Sequence, residues 1–190
     1  MSENKVLTVK EASASKEFQR VVETVKNGGI IIFPTDTVYG IGASVKFSES
    51  IDKIYRIKKR PKKKPIVILM SSWRESSHLV GRVSQRVRTM MKEYWPGATT
   101  LILSGRARPI ALRVPNHKFA LQLLSAVGPM AVTSANISGE PAPAVFSGIE
   151  KDLLKQADIV IKDEKPLKGV SSTIIDVTSG EIEIIREGKL

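Results

Sequence analysis

Four short segments carry residue types that can hold small charged molecules. Thr35-Asp36-Thr37 offers two hydroxyls and a carboxylate. Lys58-Lys59-Arg60-Pro61-Lys62-Lys63-Lys64 holds six cations and no acid. Arg113 adds a guanidinium, and Ser134-Ala135-Asn136 places a hydroxyl and an amide two residues apart. Guanidinium groups bind carboxylates and phosphates in a bidentate way, while ammonium groups act as point charges. Together these groups could hold a small zwitterion and a polyphosphate. Each segment alone reads as ordinary turn chemistry, because Ser, Thr, Asn and Pro are what turns are made of. Their number is what favours a site. The basic run alone fits a solvated loop, an RNA backbone or nucleotide phosphates, and charge does not choose among them. Aromatics make up only 5% of the chain, which argues against a platform that stacks single-stranded bases.

Other chemistries are excluded by what is missing. There is no cysteine, so no disulfide framework, thiol nucleophile or cysteine zinc site. His78 and His117 lie far apart and no HExxH occurs, so the sequence offers no metal site. No G-x-x-x-x-G-K-[ST] and no G-x-S-x-G is present, and Gly40-Ile41-Gly42 lacks the third glycine of a dinucleotide fingerprint. No apolar run reaches the ~18–20 residues of a membrane span. Met1 to Phe18 lacks the apolar core of a signal peptide, so the cytoplasm is the expected compartment. With 190 residues, 42% hydrophobic, the chain reads as one globular domain over 1–190.

The elements that must position these groups follow from periodicity. Phe18, Val21, Val22 and Val25 mark a helical face, with Ser15 as N-cap and Gly28-Gly29 as stop. Gly29 to Phe33 is a β-branched strand running into a polar loop over Pro34–Gly40. Ser48 is read as the cap of a helix through Ile51, Ile54, Tyr55 and Lys58, ended by Pro61. Strands are predicted over 65–70, 99–103, 110–114, 130–133 and 158–162. Helices are predicted around 83–94, 118–126 and 149–156, and a hairpin over 170–186. The Thr35-Asp36-Thr37 segment, Arg113 and Ser134-Ala135-Asn136 all fall at or just past predicted strands, where α/β sheets gather ligand groups. The alternation predicts a mixed α/β (α+β) domain with helices on the sheet faces.

Six motifs in order resemble those of the YrdC-like family of threonylcarbamoyl-AMP synthases. They are Pro34-Thr35-Asp36-Thr37-Val38-Tyr39-Gly40-Ile41-Gly42, Lys58-Lys59-Arg60-Pro61 and Ala111-Leu112-Arg113-Val114-Pro115. The others are Thr133-Ser134-Ala135-Asn136-Ile137-Ser138-Gly139, Ser171-Ser172-Thr173 and Ile185-Arg186-Glu187-Gly188. They span the chain from about Ile30 to Gly188. The resemblance implies a twisted mixed parallel/antiparallel sheet around a large basic cavity, in the short form without a second C-terminal domain. It implies synthesis of L-threonylcarbamoyl-AMP and pyrophosphate from L-threonine, bicarbonate and ATP, with magnesium carried on the triphosphate. The product would pass to a threonylcarbamoyl-transferase complex that modifies tRNA.

By resemblance, Lys58, Arg60, Ser134 and Asn136 form the catalytic and ATP-binding set, joined on the nucleotide side by Arg186. Thr35, Tyr39, Arg113, Thr133 and Ser172 are the expected threonine-binding residues, with Arg113 on the amino-acid carboxylate. Asp36 is an indirect contributor. Lys59 and Lys62 to Lys64 are left mostly to solvent, and His117 is read as structural. Some relatives carry a histidine where this chain has Val67, Ile68 and Leu69. Two alternatives stand beside this reading. One is a module that binds double-stranded RNA or tRNA through the cavity without chemistry. The other is a carbamoyltransferase of hydrogenase maturation, whose chains are normally much longer.

Overall fold

The computed structural model describes residues 5–188. Ten strands form one mixed sheet: β1 (Lys5–Thr8), β2 (Ile31–Pro34), β3 (Tyr39–Ser44), β4 (Val67–Leu69), β5 (Thr99–Ser104), β6 (Pro109–Arg113), β7 (Met130–Ser134), β8 (Ile159–Lys162), β9 (Thr173–Asp176) and β10 (Glu183–Arg186). Their spatial order is β1-β8-β2-β3-β7-β4-β6-β5-β9-β10. The pairs β1/β8, β8/β2, β4/β6 and β5/β9 are parallel and the others antiparallel. The helices are α1 (Val9–Ala12), α2 (Ser15–Lys26), α3 (Ser48–Ile57), α4 (Ser76–Val80), α5 (Gln85–Tyr94), α6 (Lys118–Val127) and α7 (Lys151–Gln156). The mixed α/β class expected from the alternation is the class observed. Among the described residues no helix is long and apolar enough to cross a membrane.

Strand alternation sorts the side chains onto two faces. On β2, Ile31 and Phe33 join the cluster under α2 and α6, while Ile32, with Ile30 just before the strand, joins the cluster under α3 and α7. Phe18 of α2 meets Phe119 of α6 edge-on at 6.5 Å between ring centroids. On the far half of the sheet, Leu101, Leu103, Leu112 and Ile175 face α4 and α5, packing with Met90, Met91 and Trp95. Thr100, Ile102, Ala111, Arg113 and Ile174 are their strand neighbours and point the other way. A cavity of about 590 Å³ occupies that second face, and among the described residues no helix contributes to its lining.

Three expectations need correction. Ser15 and Ser48 are first helical residues, not caps; Ala14 and Phe47 occupy the cap positions without a side-chain bond. Residues 39–44 are a buried central strand, where the sequence reading saw a loop ending at Gly40. The edge strand β1 and the short helices α1 and α4 were not anticipated.

Candidate functional site

The cavity wall is drawn from five stretches of chain. They are the turn between β2 and β3, the basic segment with β4, strands β5 and β6, the end of β7, and β9 with β10. Arg60, Lys63, Lys64, Arg113 and Arg186 line it, and none of its lining residues is acidic. Its volume is that of a pocket for a small molecule.

Arg113 is set by strand register. It is the last residue of β6, opposite Leu69 of β4, and is only 6% exposed. Its Nε donates to the Gly97 carbonyl at 2.9 Å, Nη1 to Thr37 Oγ1 at 3.0 Å and Nη2 to Asp36 Oδ1 at 2.6 Å. Burial lowers its pKa, opposed by the Asp36 carboxylate and reinforced by Arg186. Three of the five guanidinium N–H groups are thus engaged, and two remain for a planar anion. Asp36 is therefore the counter-ion of Arg113, and Thr37, which the sequence reading named in its segment without giving it a role, holds the same side chain. Thr35 lines the cavity, but its hydroxyl donates to the Val38 carbonyl at 2.7 Å and shapes the turn.

Lys58 lies elsewhere than expected. It is 1% exposed at the C-terminus of α3 and does not line the cavity. Its Nζ donates to the main-chain oxygens of Ser134 and Asn136, each at 2.5 Å, and to Asn136 Oδ1 at 3.3 Å. Burial, and after it Arg60, pull its pKa down to about 8, against the opposing charge of Glu150. Ser134 lines the cavity and donates its hydroxyl to Asn136 Oδ1 at 2.6 Å. Asn136 stands behind the wall, its Nδ2 donating to the Glu140 carbonyl at 2.5 Å. The structure thus brings Lys58, Ser134 and Asn136 into one network and puts only Ser134 on the cavity.

Arg60 does reach the cavity. Its guanidinium donates to the carbonyls of Lys64 at 3.0 Å and Pro65 at 2.8 Å, so it braces the turn that carries Lys63 and Lys64 to the rim. The sequence reading left Lys62 to Lys64 to solvent as a group. Lys62 pairs with Asp52 and stacks on Tyr55, but Lys63 and Lys64 belong to the wall. Across the cavity, Arg186 donates from Nε and Nη2 to the Ser172 carbonyl at 3.1 and 2.8 Å. Burial lowers its pKa and the Arg60 charge adds to the effect. Ser172 Oγ meets Thr100 Oγ1 at 2.8 Å. Thr100 escaped the sequence reading; the signal was its place one residue before Leu101, which puts it on the cavity side of β5.

Two further residues complete the picture. Thr133 lines the cavity. Tyr39 also lines it, yet its hydroxyl accepts from the Asp163 amide at 2.9 Å, and burial raises its pKa. The phenol is therefore a support for the neighbouring turn. His117 is the N-cap of α6, its Nδ1 accepting from the Ala120 amide at 3.3 Å and its Nε2 facing Asp163 at 3.2 Å. No group of three His, Asp or Glu that could hold a metal occurs among the described residues.

Comparison with known proteins places this geometry. The model of a family described as Telomere recombination (Sua5/YciO/YrdC) matches residues 23–188. A threonylcarbamoyl-AMP synthase of Pyrococcus abyssi is 29% identical over 97% of this chain, and the chain spans 58% of that relative's length. A putative threonylcarbamoyl-AMP synthase of Mycobacterium leprae is 33% identical over 88% of the chain and 80% of the relative. Among solved structures, P. abyssi Sua5 complexed with L-threonine superposes with a TM-score of 0.90 at 28% identity, covering 100% of this chain and 58% of that one. E. coli YciO superposes with a TM-score of 0.85 at 27% identity, covering 99% and 96%.

Proposed function

The chain belongs to the Sua5/YciO/YrdC family, and from that premise we propose that it makes L-threonylcarbamoyl-AMP and pyrophosphate from L-threonine, bicarbonate and ATP. This is a nucleotidyl transfer, with the product serving tRNA modification through a separate threonylcarbamoyl-transferase complex. The observation that carries the reading is the wall itself: five cations, no acid, and one of the cations a buried, oriented guanidinium.

The chemistry asks for such a wall. The threonine amine adds to bicarbonate with loss of water, giving a carbamate. A carbamate oxygen then attacks the α-phosphorus of ATP, and pyrophosphate leaves. Both partners are anions, so their repulsion must be neutralised before they can meet, and catalysis is chiefly positioning and charge stabilisation. Arg113 offers its two remaining N–H groups to the threonine carboxylate. The Ser172 and Thr133 hydroxyls, on the same wall, suit the substrate's polar groups. Such a site rejects an amino acid without a hydroxyl, because its own polar groups would be left unpaired. Arg60, Lys63, Lys64 and Arg186 face the phosphates, with Ser134 beside them. Magnesium comes with the triphosphate, as part of the substrate. Thr35 and Asp36 serve indirectly, through the turn that holds Arg113, and the Tyr39 hydroxyl holds the chain at Asp163.

The test is pyrophosphate release by the purified chain with ATP and magnesium. Release is expected only when L-threonine and bicarbonate are both present. Release that ignores either one, or none at all from folded protein, would overturn the proposal. The RNA-binding alternative is not favoured, since the relatives bear the names of synthases.

A further inference from the structure

An anion site gains nothing from main-chain oxygens on its wall, and the end of β7 with the loop after it has two to dispose of. Those of Ser134 and Asn136 are turned back to the Lys58 ammonium, whose three N–H groups meet three oxygens of this loop. The Lys58 carbonyl in turn accepts from the Ser138 amide at 2.9 Å, so one residue grips the loop at both flanks. Ser134 and Asn136 are then cross-tied through the 2.6 Å hydroxyl bond. No N–H of the ammonium is left for a phosphate, and the residue is absent from the cavity wall.

We propose that Lys58 is a positioning residue: it holds the main-chain oxygens of Ser134 and Asn136 away from the cavity, so that these acceptors do not face the anion. The proposal rests on the reading of the cavity as an ATP site. It replaces the expectation that Lys58 itself touches phosphate. Arg60, two residues on, keeps that task.

The experiment compares Lys58→Met with Arg60→Met in the full chain. Amide exchange at Ala135 and Asn136 is measured before any nucleotide is added, then pyrophosphate release. For Lys58→Met, exchange of those amides rises about tenfold or more in nucleotide-free protein, because charged hydrogen bonds that close the loop are gone. Turnover falls with it. For Arg60→Met the loop amides keep their protection. Unchanged loop exchange in Lys58→Met together with lost turnover would overturn the proposal and return Lys58 to the phosphates.

Should Lys58→Met not fold, the lysine side-chain nitrogen resonances of the wild type decide. The Lys58 ammonium signal is expected to be protected without nucleotide and to hold its position when a non-hydrolysable ATP analogue with magnesium is added. A signal that appears or moves only with the analogue refutes the strut. The loop effect in Lys58→Met, together with no threonine-dependent pyrophosphate release from the wild type, would sustain the strut and sink the functional reading.

Discussion

Replacing Asp36 with alanine strips the counter-ion from a guanidinium that the fold keeps 6% exposed. Both side chains of the pair are below a tenth exposed, so solvent screens it little. Breaking a buried pair by removing one partner costs about 3–5 kcal/mol, because the other charge is left uncompensated. Gly97 and Thr37 still hold two of the Arg113 N–H groups, which sets the expectation at the lower end, about 3 kcal/mol. That is a drop of roughly 6–12 °C in Tm for a chain of this size. Arg113→Met should cost a similar amount by leaving Asp36 buried alone. The double variant removes both charges and should lose no more than either single one. Urea unfolding of the four proteins then gives a coupling of about 3 kcal/mol in the double-mutant cycle. Single losses that simply add would refute the claim that Asp36 exists for Arg113.

Other outcomes follow from the same geometry. Because the folded pKa of Lys58 is about 8 against an ordinary 10.5, the unfolded chain binds a proton the fold does not between those values, and unfolding free energy rises with pH there. Relative to Lys58→Met, the wild type should gain up to about 3 kcal/mol from pH 8 to 10.5, and a flat difference would be against it. Lys59 has φ 50°, and Arg60 N closes back to the Tyr55 carbonyl at 2.9 Å beside it. Lys59→Gly should therefore stabilise by roughly 1 kcal/mol in thermal unfolding with turnover unchanged; a lower Tm would count against it. A Cβ on Gly42 would sit 2.7 Å from Val132 Cγ2 and 2.9 Å from the Ala131 carbonyl oxygen. Gly42→Ala should lose about 2 kcal/mol or more in urea unfolding, with part regained in Gly42→Ala/Val132→Ala; no loss would refute the packing argument.

The sequence was most legible where apolar spacing was regular. Val21 and Val25 announced α2, the helix expected around 83–94 is α5, and the hairpin expected over 170–186 is β9–β10. It was least legible over 39–44, because two glycines erase the alternation that marks a strand. Their reason lies across the sheet, where Val132 fills the space their side chains would take. Of the candidate binding residues, all but Lys58 and Asn136 line one cavity. What could not be read was direction. Lys58 and Arg60 look alike in sequence, but the partners that turn Lys58 inward come 76 and 78 residues later. Likewise nothing in a run of three lysines says that Asp52 draws away Lys62 and leaves Lys63 and Lys64 at the rim.

The β9–β10 hairpin also decides when the cavity comes into being. β9 pairs in parallel with β5 across a large gap in sequence, Thr99 against Thr173, and Ser172 and Arg186 arrive only with it. During synthesis the turn at Thr35–Thr37, the basic rim and the Arg113 strand all emerge earlier. Until the hairpin docks, β5 is an open edge with Thr100 exposed along it, a strand available for mispairing. Contacts of such long range are slow to form. The growing chain therefore carries four of its five cavity cations for some time with one wall missing, and the cavity is closed on that side only once β9 has paired with β5.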